Sequence, residues 1–200
     1  MRESWVRNVV ASGAAVAFGL AILVMSLLAV ANPMRVYPQV IKGTPVLAGA
    51  SVEYYLPYPG VLPDNKLYVL KMVRDRVRLW LTFGDEQKAQ RELGYADKRL
   101  GAAAALVEGG KSELGIRTYT KAEKYLERAV YAVIRLSRVD KKDVKSSLLT
   151  LSKATAKHAE VGVEIAARAD REGEKMVALQ TVAATQALKE KVDQALLEAE

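Results

Sequence analysis

The stretch from Tyr54 to Leu81 divides the chain into two kinds of sequence. It reads YYLPYPGVLPDNKLYVLKMVRDRVRLWL. Its first ten residues hold the last three of the six prolines in the protein, and no proline follows Pro63. From Leu67 onward, apolar residues recur at helical spacing, which predicts an amphipathic helix. The stretch therefore predicts where an extended segment ends and a helical body begins.

The segment before this boundary, residues 32–63, contains all six prolines. Proline fixes φ and pushes the preceding residue toward extended geometry, so we expect a proline-rich extended tether rather than a helix. Its second half is too apolar for a free linker, and we expect it to pack on the helical domain. The alternative is a proline-rich ligand for a partner domain, although the prolines do not form a PxxP repeat.

The N-terminus holds a long uncharged span from Val9 to Met34, about 26 residues. A bilayer core needs roughly 20 apolar residues as a helix, and Arg2 and Arg7 before the span favour an extracytoplasmic C-terminal domain. This predicts a single-pass protein of the cell membrane. The alternative is a secreted protein with a cleaved signal peptide, whose apolar core would be Phe18–Leu28 and whose cleavage pattern would be Ala29–Ala31.

The amino-acid composition limits the fold classes and the kinds of site that the rest of the chain can have. The chain has no cysteine, which excludes disulfides, thiol catalysis and thiolate metal sites. Beyond the tether it is rich in helix-forming residues, which favours an all-α fold. We predict a transmembrane anchor or signal peptide over residues 1–31 and the tether over 32–63. A helical hairpin body over 64–139 and a long C-terminal helical segment over 140–200 would form an antiparallel bundle.

Three helices are predicted between the tether and residue 140. The first covers residues 65–82 with Asp64 as its N-cap. The second begins at Thr82 or Asp85 and ends at Gly109–Gly110. The third begins between residues 113 and 120, runs to about Arg138, and is expected to lie antiparallel to the second. The apolar stripe of the first helix is Leu67, Leu70, Val73, Val77, Trp80 and Leu81.

The C-terminal segment carries a heptad-like seam, with Asp140 expected to cap it. The seam consists of Val144, Leu148, Leu151, Thr155, His158, Gly162, Ile165 and Ala169. Beyond Gly173 the stripe shifts to Met176, Leu179, Ala183, Leu188, Val192 and Leu196. The pattern fits one bent helix or two helices that meet near Gly173. A segment that folds back would cover the body, and one that projects would form a coiled coil with a partner chain.

The net charge of +7 is concentrated on two of the predicted helices. Such faces can attract anionic lipid or polymer, although Lys and Arg also commonly cover surfaces without binding anything. The candidate contacts to an anionic surface are Lys71, Arg74, Arg78, Arg128 and Arg135.

Residues suited to catalysis are scarce. His158 is the one histidine, and with no cysteine a zinc site would need three carboxylates beside it. Because His158 lies on the apolar seam, we expect a packed, hydrogen-bonded core histidine. No phosphate-binding glycine motif is present. We therefore predict no catalytic, cofactor-binding or metal-binding residues, no cofactor, and a protein that is not an enzyme.

One motif resembles a known family. It comprises Leu56, Pro57, Tyr58, Pro59, Gly60, Val61, Leu62, Pro63 and Asp64, followed by Leu67, Tyr68, Leu70 and Lys71. This pattern resembles a family of bacterial exported proteins known only as a domain of unknown function, in which Leu-Pro-x-x-x-Leu-Tyr-x-Leu-Lys leads into an amphipathic helix. Leu79–Phe83 is similar to the step that ends that helix. Lys66 departs from the pattern, since many members place proline there. The resemblance covers about Tyr55 to Val161 and implies an exported, all-helical domain with no known activity.

These observations predict a non-catalytic interaction or structural module, tethered to a membrane at the cell envelope. The alternative is a binder of anionic lipid or envelope polymer through its basic face. The expected partners are the membrane and either an envelope protein or a second copy joined through the C-terminal helix. Nucleic acid is not expected.

Six apolar residues around the tether boundary are expected to fasten the tether to the bundle, as such residues often do at a helix start. They are Tyr55, Leu56, Tyr58, Leu62, Leu67 and Tyr68.

Overall fold

The computed structural model of the protein describes residues 52–140 and 143–199. These residues form five helices and no strand, which confirms the all-α class for this part of the chain. The helices are α1 (Tyr68–Trp80), α2 (Asp85–Glu108), α3 (Ser112–Arg138), α4 (Lys145–Ala167) and α5 (Glu172–Glu198). The predicted N-terminal span and the first part of the tether lie outside the described residues. Among the described helices, none is long and apolar enough to cross a bilayer.

Helices α2 and α3 form an antiparallel hairpin, as predicted. Gly110 turns the chain with a φ of 73°, and the next amide, from Lys111, donates to the Leu106 carbonyl at 2.8 Å. Close to the turn, a Cβ on Gly115 would lie 2.4 Å from a methyl group of Val107, so glycine permits the close approach. At the far end of the hairpin Arg135 pairs with Asp85.

Helices α4 and α5 form a second hairpin, and the C-terminal segment is therefore two helices rather than one bent helix. Residues 168–171 connect them. The Ser152 hydroxyl on α4 donates to Asp193 on α5 at 2.6 Å. Nearer the turn, a Cβ on Gly162 would lie 2.8 Å from Val182. Residues early in α4 thus face residues late in α5, which makes this hairpin antiparallel too.

The two hairpins lie side by side, with α2 parallel to α4 and α3 parallel to α5. Side chains on the paired helices meet at sequence separations of 60 to 62 residues. Four such pairs are Asp97–His158, Glu108–Arg168, Glu123–Thr185 and Arg138–Glu198. The result is a four-helix body in which each helix has both an antiparallel and a parallel neighbour.

The core of this body is filled by small and medium-sized apolar side chains from all four helices. Tyr119, Leu100, Leu126 and Leu148 are among the largest side chains that are fully buried. The predicted seam of α4 is buried from Val144 to Ile165, with Ala169 half-buried. The seam therefore covers the body of its own chain. Self-association through it stays a prediction, and would require this seam to open.

Two predicted helix caps are wrong. Helix α1 begins at Tyr68, three residues later than expected, because residues 62–67 form turns in which the Asn65 side chain accepts from the Leu67 amide at 2.9 Å. Asp64 contacts Lys111 instead of capping α1. Asp140 does not cap α4 either; Asp143 accepts from the Lys145 amide at 3.2 Å.

The stripe predicted for the first half of α5 is also wrong. Met176, Leu179 and Ala183 are exposed, whereas Ala178, Val182 and Thr185 are buried. Small side chains face the body here because α5 approaches both α4 and α3 closely. In the second half of the helix, Leu188 and Val192 are buried as predicted and Leu196 is half-buried.

The apolar stripe predicted for the first helix, corresponding to α1, does not enter the core. An amphipathic helix normally turns its apolar side inward. In α1 only Val77 of that stripe is half-buried, and the other five residues are exposed. The one buried residue of α1 is Asp75, whose backbone carbonyl accepts from the Tyr95 hydroxyl on α2 at 3.1 Å. Helix α1 thus contacts the body through its polar side.

Candidate functional site

The site is centred on His158, which lies midway along α4 and is 0% exposed. Its ring meets two carboxylates that come from different helices. The Nδ1 atom lies 2.7 Å from Oε1 of Glu123 on α3, and the Nε2 atom lies 3.1 Å from Oδ1 of Asp97 on α2. The prediction of a packed, hydrogen-bonded core histidine is therefore confirmed.

This geometry sets the charge of the ring. Carboxylate oxygens accept hydrogen bonds, so both ring nitrogens donate, and only the imidazolium form has two N–H groups. Burial on its own would lower the pKa of His158, but the charges and hydrogen bonds of Glu123 and Asp97 outweigh it and raise the pKa to about 9. His158 is accordingly a buried cation at neutral pH.

Each carboxylate has a second partner on its other oxygen. The Tyr54 hydroxyl donates to Oδ2 of Asp97 at 2.8 Å, and the Thr185 hydroxyl on α5 donates to Oε2 of Glu123 at 2.8 Å. We call Tyr54, Asp97, Glu123, His158 and Thr185 the histidine network. It joins all four helices of the body to the segment that precedes α1. Buried polar groups are costly unless they are paired, and here the pairing is what connects the elements.

Tyr119 lies next to this network and is also fully buried. Its hydroxyl has no hydrogen-bond partner among the described residues. Burial and the nearby charge of Glu123 raise the pKa of Tyr119, which keeps the phenol neutral. Its oxygen fits because residue 162 is glycine, where a Cβ would lie only 2.1 Å away.

The described segment before α1, residues 52–67, is bound to the body at several points. Besides the Tyr54 contact, the Val52 amide donates to Glu160 on α4 at 3.4 Å. Leu56 packs against the core and Pro59 is buried. Burial, followed by the charge of Asp97, raises the pKa of Tyr54, so its hydroxyl keeps the proton that it donates.

Residues of the motif also make the contacts that connect this segment to α1. The Lys71 ammonium donates to the carbonyls of Pro59, at 2.5 Å, and Val61, at 3.1 Å, across the turn at Gly60. Burial lowers the pKa of Lys71 to about 8. The hydrogen bond from Lys111 holds the pKa of Asp64 below its usual range.

The six residues expected to fasten the tether divide into two groups. Leu56, Leu62 and Tyr68 are half-buried, whereas Tyr55, Tyr58 and Leu67 are exposed. The expectation is therefore wrong for half of them, because Lys71 and Tyr54 hold the segment through polar contacts instead.

A comparison with known protein families matches residues 60–200 to a family described as Domain of unknown function (DUF5667). The match covers well over half of the chain. The chain belongs to the DUF5667 family. Neither the curated proteins nor the solved structures gave a match. The histidine network of this DUF5667 domain lies within the matched residues except for Tyr54.

The five basic residues predicted to contact an anionic surface lie on two helices of the DUF5667 domain. On α1, Lys71 binds the turn described above, Arg74 pairs with Asp75 at 2.8 Å, and Arg78 is exposed. On α3, Arg128 stacks on the Tyr125 ring at 4.2 Å and lies 3.4 Å from Glu92, and Arg135 pairs with Asp85. Most of these cations therefore have partners within the domain.

Sequence reasoning missed the partners of His158 in this DUF5667 domain. A signal was present, since Asp97 lies among the apolar positions Leu93, Ala96 and Leu100 of α2, and Glu123 follows Ala122 in α3. A charged residue on a core-facing side of a helix needs a partner. What the sequence does not contain is the alignment of α2, α3 and α4 that brings the three residues together.

The geometry of the histidine network does not suit acid–base catalysis. A general acid or base must reach a substrate proton, but His158 is fully enclosed and both of its nitrogens are engaged. The two carboxylates lie on opposite sides of the ring. Among the described residues, no group of histidine, aspartate and glutamate side chains is arranged to hold a metal ion. The geometry supports a structural role for the network.

Proposed function

We propose that this DUF5667 protein is a bacterial, exported, non-catalytic interaction module, tethered to the cell membrane by its N-terminal apolar span and displayed outside the cytoplasm. The observation that carries the proposal is the histidine network. The residues best suited to acid–base chemistry are enclosed and used to join the pre-α1 segment to all four helices of the body.

The contacts of the segment before α1 also support this proposal. A segment that only connected two domains would not need a hydrogen bond to a buried carboxylate. Here Tyr54 and Lys71 bind the segment directly to the body and to its own turn. Residues 52–63 are therefore part of the folded body, which favours a role for this segment beyond that of a connector.

Cell fractionation with external protease tests the proposal. The full chain, expressed with a C-terminal tag in a bacterium, should sediment with membranes, and its tag should be digested in spheroplasts while a cytoplasmic marker survives. Leu23→Arg should leave the tag protected from protease, because it places a charge inside the uncharged span and prevents export. The matched control is Leu197→Arg, at an exposed position of α5, which should behave like the natural chain.

A soluble, full-length protein protected inside the cytoplasm would overturn the proposal. The mass of the membrane-bound or released chain separates the two forms of export. An intact N-terminus indicates a membrane anchor, and a chain shortened near Ala31 indicates a cleaved signal peptide.

A further inference from the structure

The outward side of α1 is an exposed apolar row. At 100° per residue, Val69, Val73 and Trp80 fall on one side of the helix, and Leu70 lies beside them. Val69 and Val73 are each 57% exposed and Trp80 is 81% exposed. Phe83, just past the end of the helix, is 85% exposed. Exposed apolar side chains that share one side of a helix are a candidate interaction surface.

This row is directed away from the body because the opposite side of α1 is anchored by polar contacts. Lys71, Asp75 and Tyr68 are the residues on that side. Lys71 and the Asp75 carbonyl make the hydrogen bonds described above, and the Lys71 ammonium lies 5.5 Å above the Tyr68 ring. A helix of 13 residues is marginal in water without a packed apolar face. In α1 that face is available for a partner.

Arginines border the apolar row on both edges. By the same helical spacing, Arg76 lies along one edge and Arg74 along the other. Arg78 lies farther round the helix, between Arg74 and Lys71, and is exposed. Residues 66–78 contain five basic side chains and one acidic side chain. The acidic one, Asp75, is buried on the body side and paired with Arg74. The outward face of α1 thus combines apolar side chains with positive charge and carries no carboxylate.

We propose that α1 lies in the interface of an anionic lipid bilayer. Its apolar row would enter the acyl boundary, and Arg76 and Arg78 would contact lipid phosphates. The proposal rests on the proposed function, since it takes the lipid to be the membrane that holds the N-terminal span. Helices that lie in a bilayer interface have an apolar face with Trp or Phe and a Lys/Arg-rich polar face. Arginine stems cover apolar surface while their charged ends reach the phosphates.

The same features disfavour a second copy of the chain as the occupant. Two α1 faces placed against each other would bring arginine-bordered rows together, with no carboxylate on the outward face of either copy to neutralise them. Anionic headgroups neutralise both edges at once. Trp80 and Phe83, at the C-terminal end of the row, have the apolar body and the aromatic character found at membrane–water boundaries.

Tryptophan fluorescence in vesicles tests the position of α1. The chain has two tryptophans, Trp5 and Trp80, so full-length Trp5→Phe leaves Trp80 as the sole reporter. The protein is reconstituted into vesicles of phosphatidylglycerol and phosphatidylcholine in equal parts. Emission is then compared with the same lipids brominated in their acyl chains. We expect a blue shift and quenching of at least twofold, which should be much smaller in pure phosphatidylcholine.

A charge-reversal pair provides the matched control. In the same background, Arg76→Glu/Arg78→Glu should reduce the quenching severalfold. Lys121→Glu/Lys124→Glu, which makes the same charge change at exposed positions of α3, should leave it unchanged. Equal quenching in all three chains would overturn the role of the arginines, and with it the proposal.

Flotation of the same samples separates this proposal from the tether. If the chain floats with the vesicles but brominated lipid does not quench Trp80, the α1 proposal alone is overturned. A Leu23→Arg chain that still floats and is quenched shows that α1 binds lipid without help from the N-terminal span, and supports the α1 proposal. A chain that does not float contradicts both. If the emission of Trp80 shifts with protein concentration and does not depend on lipid, a second copy of the chain covers the apolar row. That result overturns lipid binding.

Discussion

At the scale of single residues, His158 is charged in the interior because carboxylates from two helices reach both of its nitrogens. Breaking a buried ion pair by removing one partner costs about 3–5 kcal/mol, because the remaining charge is left unpaired. His158→Gln is expected to destabilise the domain by an amount of this order, since glutamine carries no charge and leaves two buried carboxylates without their cation. Denaturant unfolding of the full chain and of the variant measures this loss.

The pH dependence of that loss is the sharper prediction. The folded pKa of about 9 lies above the ordinary value of 6.5, so the contribution of His158 is complete below about pH 6.5 and is lost as the pH rises through about 9. A shift of this size corresponds to about 3 kcal/mol as an upper bound. Lys71, with its lowered pKa, acts in the opposite direction but equally in both chains. The stability difference between the natural chain and His158→Gln should therefore shrink between pH 6 and 9.5. A constant difference would contradict the assignment of the charge to His158.

At the scale of helices, Gly162 sets how closely α4 approaches α3 and α5. A Cβ at residue 162 would lie 2.1 Å from the Tyr119 oxygen and 2.8 Å from Val182. We expect Gly162→Ala to cost about 1–3 kcal/mol, the usual range for overpacking a core. Gly94→Ala is the control, because no atom lies within 4 Å of the added methyl group. Alanine there should stabilise α2 by about 0.5–1 kcal/mol. Thermal and denaturant unfolding measure both.

A second variant identifies the atom responsible. The Tyr119 hydroxyl has no hydrogen-bond partner among the described residues, so Tyr119→Phe on its own should cost little. Combined with Gly162→Ala it should recover part of the loss, because the closest atom is removed while the ring stays. Strictly additive effects would show that the clash is relieved elsewhere, since residues in contact are expected to couple.

At the scale of the whole molecule, the predictable parts are those that depend on local signals. The ends of α2 follow from Gly84, Gly110 and the helical spacing between them, whereas α3 begins at Ser112, one residue before the predicted range. The apolar seam of α4 was recognisable for the same reason. The orientation of α1 could not be predicted. A sequence pattern shows which side of a helix is apolar, but it does not show what that side contacts. The partners of His158 required the parallel alignment of two hairpins, which depends on packing between helices 60 residues apart.

The hydrogen bond from Tyr54 to Asp97 joins the segment before α1 to the helical body. Tyr54→Phe removes the hydroxyl that donates to Asp97 and leaves one oxygen of a buried carboxylate without that partner, at a cost of about 1–3 kcal/mol. Tyr55→Phe is the matched control, since Tyr55 is exposed. Hydrogen exchange of residues 52–63 should accelerate in the first variant more than exchange in α3, because the segment detaches before the helices unfold. Equal acceleration in both regions would mean that the network holds the body together without specifically holding the tether. Unchanged exchange would mean that Lys71 and the turn at Gly60 suffice to hold it.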